Sequence, residues 1–322
     1  MPDFVYIAIA MIIAAAGTFA ALYYLPMGGK LLGHDRGRKF AAGSEVNIGK
    51  PTGVGFYFTI VFAVAALIFA EHSAGFILML LLVLASMVCG FLDDRSAAPW
   101  GEYIKGALDF GIAILGAIFF VCFFDSEVYI SIGGASFDIP ALIYAILACM
   151  LFIVSINATN ATDGVDGLSG SLTILTIIAI TIAGSIVDGF DCTKAVSGLI
   201  LVAVLLTYLW FNHFPSKMLM GDAGSRAIGF FIAFYAMYMK VPFAYLIVGL
   251  PFLLDGGLSI LKITIGRLTH KKVIILKNLI TPVHDHLKKK KGFSVPKTWA
   301  TIVGFGLILD IVYVIIVALS NM

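Results

Sequence analysis

"DFVYIAIAMIIAAAGTFAALYYL", residues 3–25, carries a charge only at its first position. A helix rises about 1.5 Å per residue, so a run of this length can cross the ~30 Å hydrocarbon core of a bilayer. No basic segment precedes it and its apolar run is too long for a signal-peptide core, so it reads as a retained first span. Comparable runs lie near 52–70, 74–92, 105–124, 139–156, 167–187, 195–211, 224–239, 243–262 and 298–319. Composition agrees: 61% of the 322 residues are hydrophobic and 12% charged, against about 45–50% and 25% in soluble domains. Mean hydropathy is +1.03. The expectation is an all-α integral membrane protein of about ten transmembrane helices, one polytopic domain across residues 1–322.

Two of these runs are irregular. The eighth is short, and the ninth contains Asp255-Gly256-Gly257 and reads as broken or kinked, with freed backbone that protein or a cavity must satisfy. Between the fourth and fifth runs, "DSEVYISIGGASFDIP" (125–140) alternates polar and apolar around Gly133-Gly134, the signal of a small β-hairpin. Cys89, Cys122, Cys149 and Cys192 are widely spaced. They support neither a disulfide framework nor a zinc site and read as buried apolar side chains.

Orientation follows from lysine and arginine in the connections. Nineteen of the 21 basic residues fall on connections after odd-numbered spans, and only Lys194 and Lys240 lie on the other side. The odd connections are therefore expected to be cytoplasmic, with both termini and the hairpin outside. This bears on "NATNATDGVDGLSG" (157–170), which holds the sequons Asn157-Ala-Thr159 and Asn160-Ala-Thr162. On the cytoplasmic side they are not glycosylation sites.

Acidic residues gather at the same boundary. Asp93 and Asp94 close the third span, where the helix dipole disfavours them by roughly 0.3–1 kcal/mol each. Arg95 or a bound metal would compensate. Asp163 and Asp166 open the sixth span and, three residues apart, share one helical face. Asn160 or Thr162 would serve equally well as a plain helix cap. Asp222, between Gly221 and Gly224, suits a metal bridging to phosphate, since Mg²⁺ is commonly held by one or two carboxylates plus waters and phosphate oxygens. An aspartate N-cap explains it as well. His284 and His286 flank Asp285 before the run Lys288 to Lys291; the histidines suit hydrogen bonding to a diphosphate, and the lysines fit positive-inside topology or attraction to anionic lipid. Together these loops suit an anionic soluble substrate held through Mg²⁺ beside a partner dissolved in the bilayer.

The order F-x-D-D, N-x-x-N-x-T-D-G-x-D-G-L, N-x-x-P-x-x-x-x-M-G-D-x-G-S and P-x-H-x-H-x-x-x-K-G resembles the polyprenyl-phosphate N-acetylhexosamine-1-phosphate transferases across nearly the whole chain. The branch it is most similar to makes the first lipid intermediate of peptidoglycan in the bacterial cytoplasmic membrane. The resemblance implies transfer of phospho-MurNAc-pentapeptide from UDP-MurNAc-pentapeptide to undecaprenyl phosphate, with release of UMP. It implies Mg²⁺ on Asp222, with Asp93 and Asp94 beside the diphosphate and lipid phosphate and as further candidate ligands, and His284 among the catalytic groups. Asn157, Asn160, Asp163 and Asp166 would line the nucleotide-sugar pocket, with Lys105, Asn212, Asp285 and His286 also near substrate. Asp285 stands where the family has a central histidine, and an ionised carboxylate cannot donate to phosphate. Lys50 is displaced from the family's lysine position, so no role is carried onto it. "PFLLD" with Asp255 fits the GlcNAc-1-phosphate branch at least as well, whereas the missing arginine before His284 points back to the muramoyl branch. A homodimer is one assembly the resemblance allows, and no nucleic-acid partner is expected.

Alternatives remain at this level. A UDP-GlcNAc enzyme feeding teichoic acid or another surface glycan would use the same catalytic set. An ion-coupled transporter would place its acids at the bilayer midplane, whereas here they cluster at one boundary. Attack by the lipid phosphate is direct, or proceeds through a covalent intermediate on Asp94.

Overall fold

Apolar runs without water must satisfy their backbone polar groups internally, which helices do. The computed structural model describes residues 2–25, 31–35, 37, 47–96, 98, 100–273 and 275–322. In chain order it contains α1 (Asp3–Tyr24), β1 (Gly33–His34), β2 (Pro51–Thr52), α2 (Gly55–Phe69), α3 (Ala74–Arg95) and α4 (Glu102–Phe123). There follow β3 (Glu127–Ile130), β4 (Ala135–Asp138), α5 (Ala141–Thr162), α6 (Leu168–Asp188), α7 (Cys192–Asn212) and α8 (Gly221–Tyr238). The chain ends through α9 (Tyr245–Val248), α10 (Leu250–Phe252), α11 (Leu258–Leu268), α12 (Val283–Lys289) and α13 (Val295–Ser320).

Among the described residues, seven helices are long and apolar enough to cross a membrane: α1, α3, α4, α5, α6, α7 and α13. An eighth is formed if Pro242–Val248 and Leu250–Leu268, bent by 59°, count as one broken span. The other two expected runs are also helical, but α2 has only 15 residues and α8 carries Asp222 and Arg226 in its first turns. Every residue of α8 from Asp222 to Tyr238 is buried, which makes it the centre of the bundle, with α3 and α5 packed closest. At Gly90 of α3 a Cβ would lie 2.2 Å from the Asp222 carbonyl oxygen. Only glycine permits that approach, and it sets Asp93 and Asp94, one turn on, beside the start of α8.

The break expected in the ninth run is present. After Gly249 the chain passes through a π-helical turn, Leu253–Gly257, that buries Asp255. The wider turn rotates a side chain off the regular helical face, a device common at functional sites. Beyond it α11 leaves the bundle, with only Ser259 buried.

One expectation is corrected. Asp163 and Asp166 do not open a helix on a shared face, because α5 continues to Thr162 and α6 starts only at Leu168. Both lie in the connecting turn, which closes on Gly167 at φ 76°. Nor do Asn160 and Thr162 cap α6: both belong to α5.

The hairpin forms as read, antiparallel from Glu127↔Asp138 to Ile130↔Ala135, with Gly133 and Gly134 at positive φ. It sits at the end of the bundle opposite Asp93 and Asp222. Lys240 there reaches Glu127 at 2.9 Å and Asp188 at 3.6 Å, while Lys194 lies 3.4 Å from Asp188. The two basic residues assigned to this end are thus both paired.

At the same end Asp191 caps α7, accepting from the Thr193 and Lys194 amides at 2.8 and 3.3 Å. Burial pushes its carboxyl up, but bonds from Thr193 and Lys194 outweigh this and hold it below the usual carboxylate range. A depressed folded pKa contributes stability above the unfolded value of about 4 and loses it as pH falls through the folded value. Asp191→Ala is therefore expected to cost about 1 kcal/mol near neutrality, a deficit that shrinks below about pH 4. Asp191→Asn keeps the cap, and thermal denaturation against pH separates the two variants.

Candidate active site

The two carboxylates closing α3 have different partners. Asp93 accepts from the Trp100 amide at 2.6 Å and its Oδ2 contacts the Lys105 ammonium from the first turn of α4. The compensating cation is Lys105 rather than Arg95, which is exposed. Lys105 Nζ also lies 3.1 Å from Asp222 Oδ2. It therefore bridges two carboxylates from different helices. Asn160 Nδ2 donates to Asp222 Oδ1 at 2.9 Å and to Ser225 Oγ at 2.9 Å.

Asp94 points elsewhere. Its oxygens accept from the backbone amides of Asp222 and Ala223 at 3.1 and 3.0 Å, satisfying donors that a helix start leaves unpaired, where the dipole favours an anion. Gly221, at φ 68°, makes this approach feasible, since a Cβ there would lie 2.2 Å from Asp94 Oδ2. Asp222 itself sits in the first turn of α8 and is not its N-cap.

Two functional candidates were missed from sequence. Arg226 Nη1 contacts Asp109 Oδ1 at 2.5 Å, and its Nε lies 3.4 Å from Asp222 Oδ2. Both Arg226 and Asp109 are buried. The available signal was their spacing: Arg226 is four residues after Asp222, and Asp109 four after Lys105, so each pair shares a helical face. Charges inside apolar spans are rare unless paired or functional. Asn157 lies beside Asp109 while its amide donates back to the Ile153 carbonyl at 3.0 Å.

A second cluster adjoins the first. His284 is buried and its backbone amide donates to Asp255 Oδ1 at 2.6 Å, while Nδ1 lies 2.8 Å from Asp255 Oδ2. Its Nε2 faces Gly164, where a Cβ would come within 2.4 Å. Gly164 lies four residues after Asn160 and two past the end of α5, so this turn joins the two clusters along the chain. Sequence reasoning noted Asp255 without its partner. Asp285 turns to its own helix, 3.3 Å from Lys288 Nζ and 3.1 Å from Lys289 Nζ. Burial pushes its carboxyl up, but His284 and these lysines hold it below the usual range. His286 Nδ1 accepts from the Ile280 amide at 3.2 Å.

Asp166 and Asn212 brace the loops. Asp166 Oδ2 accepts from the Ser216 amide at 3.0 Å. Asn212, buried, accepts from the Gly167 amide at 2.9 Å and donates to the Met218 carbonyl at 2.8 Å. Lys50 Nζ reaches Ser216 Oγ at 2.9 Å, and Asp163 lies half-buried in the turn above.

The first cluster thus joins four carboxylates, Asp93, Asp94, Asp109 and Asp222, to two cations, Lys105 and Arg226. Among the described residues, no three histidine, cysteine or acidic side chains group as a metal cage. A polytopic helical chain with this acidic cluster at one end of its bundle belongs to glycosyl transferase family 4, whose pattern matches residues 76–240, just over half of the chain. The chain is an enzyme, a phospho-sugar transferase. It is 36% identical over 307 residues to a phospho-N-acetylmuramoyl-pentapeptide-transferase of Treponema pallidum, covering 87% of this chain and 81% of that protein. Enzymes of the same name are similar over shorter stretches. That of Campylobacter jejuni is 34% identical over 28% of this chain and 24% of its own length. That of Latilactobacillus sakei is 28% identical over 38% and 37%. These matches bear out the resemblance drawn from the motifs. The family match spans α3 to α8, and so includes the first cluster but not His284.

Proposed function

We propose that this chain transfers phospho-MurNAc-pentapeptide from UDP-MurNAc-pentapeptide to undecaprenyl phosphate, releasing UMP and forming the first lipid intermediate of peptidoglycan. The observation that carries the reading is the near full-length similarity to the Treponema pallidum enzyme. Ten apolar runs support ten crossings as one domain. The charge distribution supports both termini outside and the Asp93–Asp222 end in the cytoplasm, and the bacterial relatives support a bacterial cytoplasmic membrane.

The donor set fits Mg²⁺. Four carboxyl groups meet only two cations there, and Asp222 and Asp93 offer oxygens to one shared cation position, now reached by Lys105. Mg²⁺ needs only one or two carboxylates when phosphate oxygens complete its shell, so the lack of a three-residue cage is no obstacle. Asp222 and Asp93 would hold it. Asp94 fits less well, its oxygens already bonded to amides. When bound, the ion would neutralise charge on the diphosphate and the departing UMP.

The chain's own groups do the rest. A phosphate monoester has its second pKa near 6, so the lipid phosphate is largely a dianion and needs no strong base. Asn160 holds Asp222 in one orientation, and Lys105, on a flexible stem, swings its ammonium from the carboxylates to phosphate oxygens. Asp94 fixes the start of α8. That engagement favours direct attack over a covalent Asp94 intermediate. Positioning and charge neutralisation supply most of the acceleration, as is usual in phosphoryl transfer.

The test supplies purified full-length protein with undecaprenyl phosphate, Mg²⁺ and either UDP-MurNAc-pentapeptide or UDP-GlcNAc, reading UMP release and the lipid product. Product from the muramoyl donor is expected. Product from UDP-GlcNAc alone would overturn the substrate assignment and favour surface-glycan synthesis. UMP release without solute flux in vesicles would set transport aside.

A further inference from the structure

We propose that Asp109 and Arg226 are positioning residues, a buried ion pair that holds the Asp222 carboxylate and the tip of Lys105 in their working geometry. The proposal rests on the reading of Asp222 as the central carboxylate. It starts from a sign pattern. On α4, Lys105 is followed four residues later by Asp109, and on α8, Asp222 is followed four residues later by Arg226. Positive then negative on one helix faces negative then positive on the other. The contacts run continuously: Lys105 to Asp222 at 3.1 Å, Asp222 to Arg226 at 3.4 Å, and Arg226 to Asp109 at 2.5 Å.

The arginine fork makes this directional. Nη1 takes Asp109 while Nε faces Asp222, so one planar group fixes the spacing of carboxylates on two helices. The Arg226 and Asp109 side chains are 5% and 4% exposed, and α4 and α8 are packed together mainly through α3 and α5. Arg226 Nε makes no hydrogen bond; its hold on Asp222 is a charge contact within α8, four residues apart, and the Nη1 contact with Asp109 is what ties it to α4. Stability alone does not account for such a pair, since well-packed apolar residues of similar volume are often as stable or more so. Breaking one partner, by contrast, leaves an unpaired buried charge.

The experiment uses the full-length protein with Arg226→Met, Asp109→Leu and the double variant, measuring melting temperature, kcat, donor KM and the Mg²⁺ concentration for half activity. The single variants should lose both stability and turnover. In the double variant melting should return near the starting value, while kcat stays about 100-fold low, the scale of an ångström-level misplacement. Donor KM should move little and the Mg²⁺ requirement should rise. Recovery of kcat and Mg²⁺ dependence along with stability would overturn the proposal, leaving the pair a packing element. Should the double variant not fold, the swap Asp109→Arg with Arg226→Asp decides. A positioning role predicts turnover below that of Arg226→Lys, because a carboxylate now faces Asp222, and a packing role predicts recovery. Asp222→Asn in the same assay separates the two levels. If it stays active, the reading of the site fails; if it is dead while the double variant is normal, only the pair's role fails.

Discussion

Asp222→Asn is expected to lower turnover by about 10³-fold or more while leaving the helical bundle folded, a loss on the scale of removing a principal electrostatic group from a site. The substitution is nearly isosteric, and the new Oδ1 can still accept from Asn160. The change falls on the other oxygen. Oδ2 faces Lys105 at 3.1 Å and Arg226 at 3.4 Å, and an amide there presents donors toward two cations. Neither cation is left alone, because Lys105 keeps Asp93 and Arg226 keeps Asp109. The fold therefore survives, but the site loses the carboxylate that balances Lys105 and would hold Mg²⁺. UMP release should fall to background and respond little to added Mg²⁺, with an unchanged helical circular dichroism spectrum. Turnover within tenfold of the parent would refute the assignment.

How much of this was legible in sequence depends on what local pattern encodes. The helices were visible because a bilayer-length apolar run has one stable backbone solution, and Asp255-Gly256-Gly257 marked the ninth run as irregular, although its 59° bend falls at Gly249 and the three residues form a π-helical turn. The hairpin was visible in its alternation and Gly133-Gly134. Asp93, Asn160 and Asp222 could be placed at one end because connection charge gives each helix a direction. The turn at Asp163 and Asp166 was misread because α5 runs on to Thr162, more than a turn and a half beyond the end of its apolar run. Lateral neighbours were not legible at all. Arg226 and Asp109 are 117 residues apart in sequence, and helical periodicity says which face a residue occupies but not which helix that face meets. The same holds for Asp255 and His284, 29 residues apart, whose meeting depends on the π-helical turn.

Asp255→Asn should lower kcat by about 10²-fold with little change in donor KM or melting temperature, the scale on which a positioned proton donor or acceptor acts. Asp255 accepts twice from His284, from the backbone amide at 2.6 Å and from the Nδ1 side of the ring at 2.8 Å. A carboxylate accepts at both oxygens, so Nδ1 carries a proton, while Nε2 faces Gly164 and lies 3.9 Å from Asp285 Oδ1. Asparagine has one acceptor. The His284 amide can only donate and claims that oxygen, so the new NH₂ faces Nδ1. Nδ1 must then accept, which confines the ring to the form protonated on Nε2 alone. The ring keeps its place but gives up its Nδ1 proton. Stability changes little because a buried carboxylate has been exchanged for a neutral isostere that keeps two hydrogen bonds. His284→Ala should lose at least as much turnover, and adding Asp255→Asn to it should lose little more, since the two act as one unit. Independent, multiplying losses, or normal turnover in Asp255→Asn, would show that Asp255 does not act through His284.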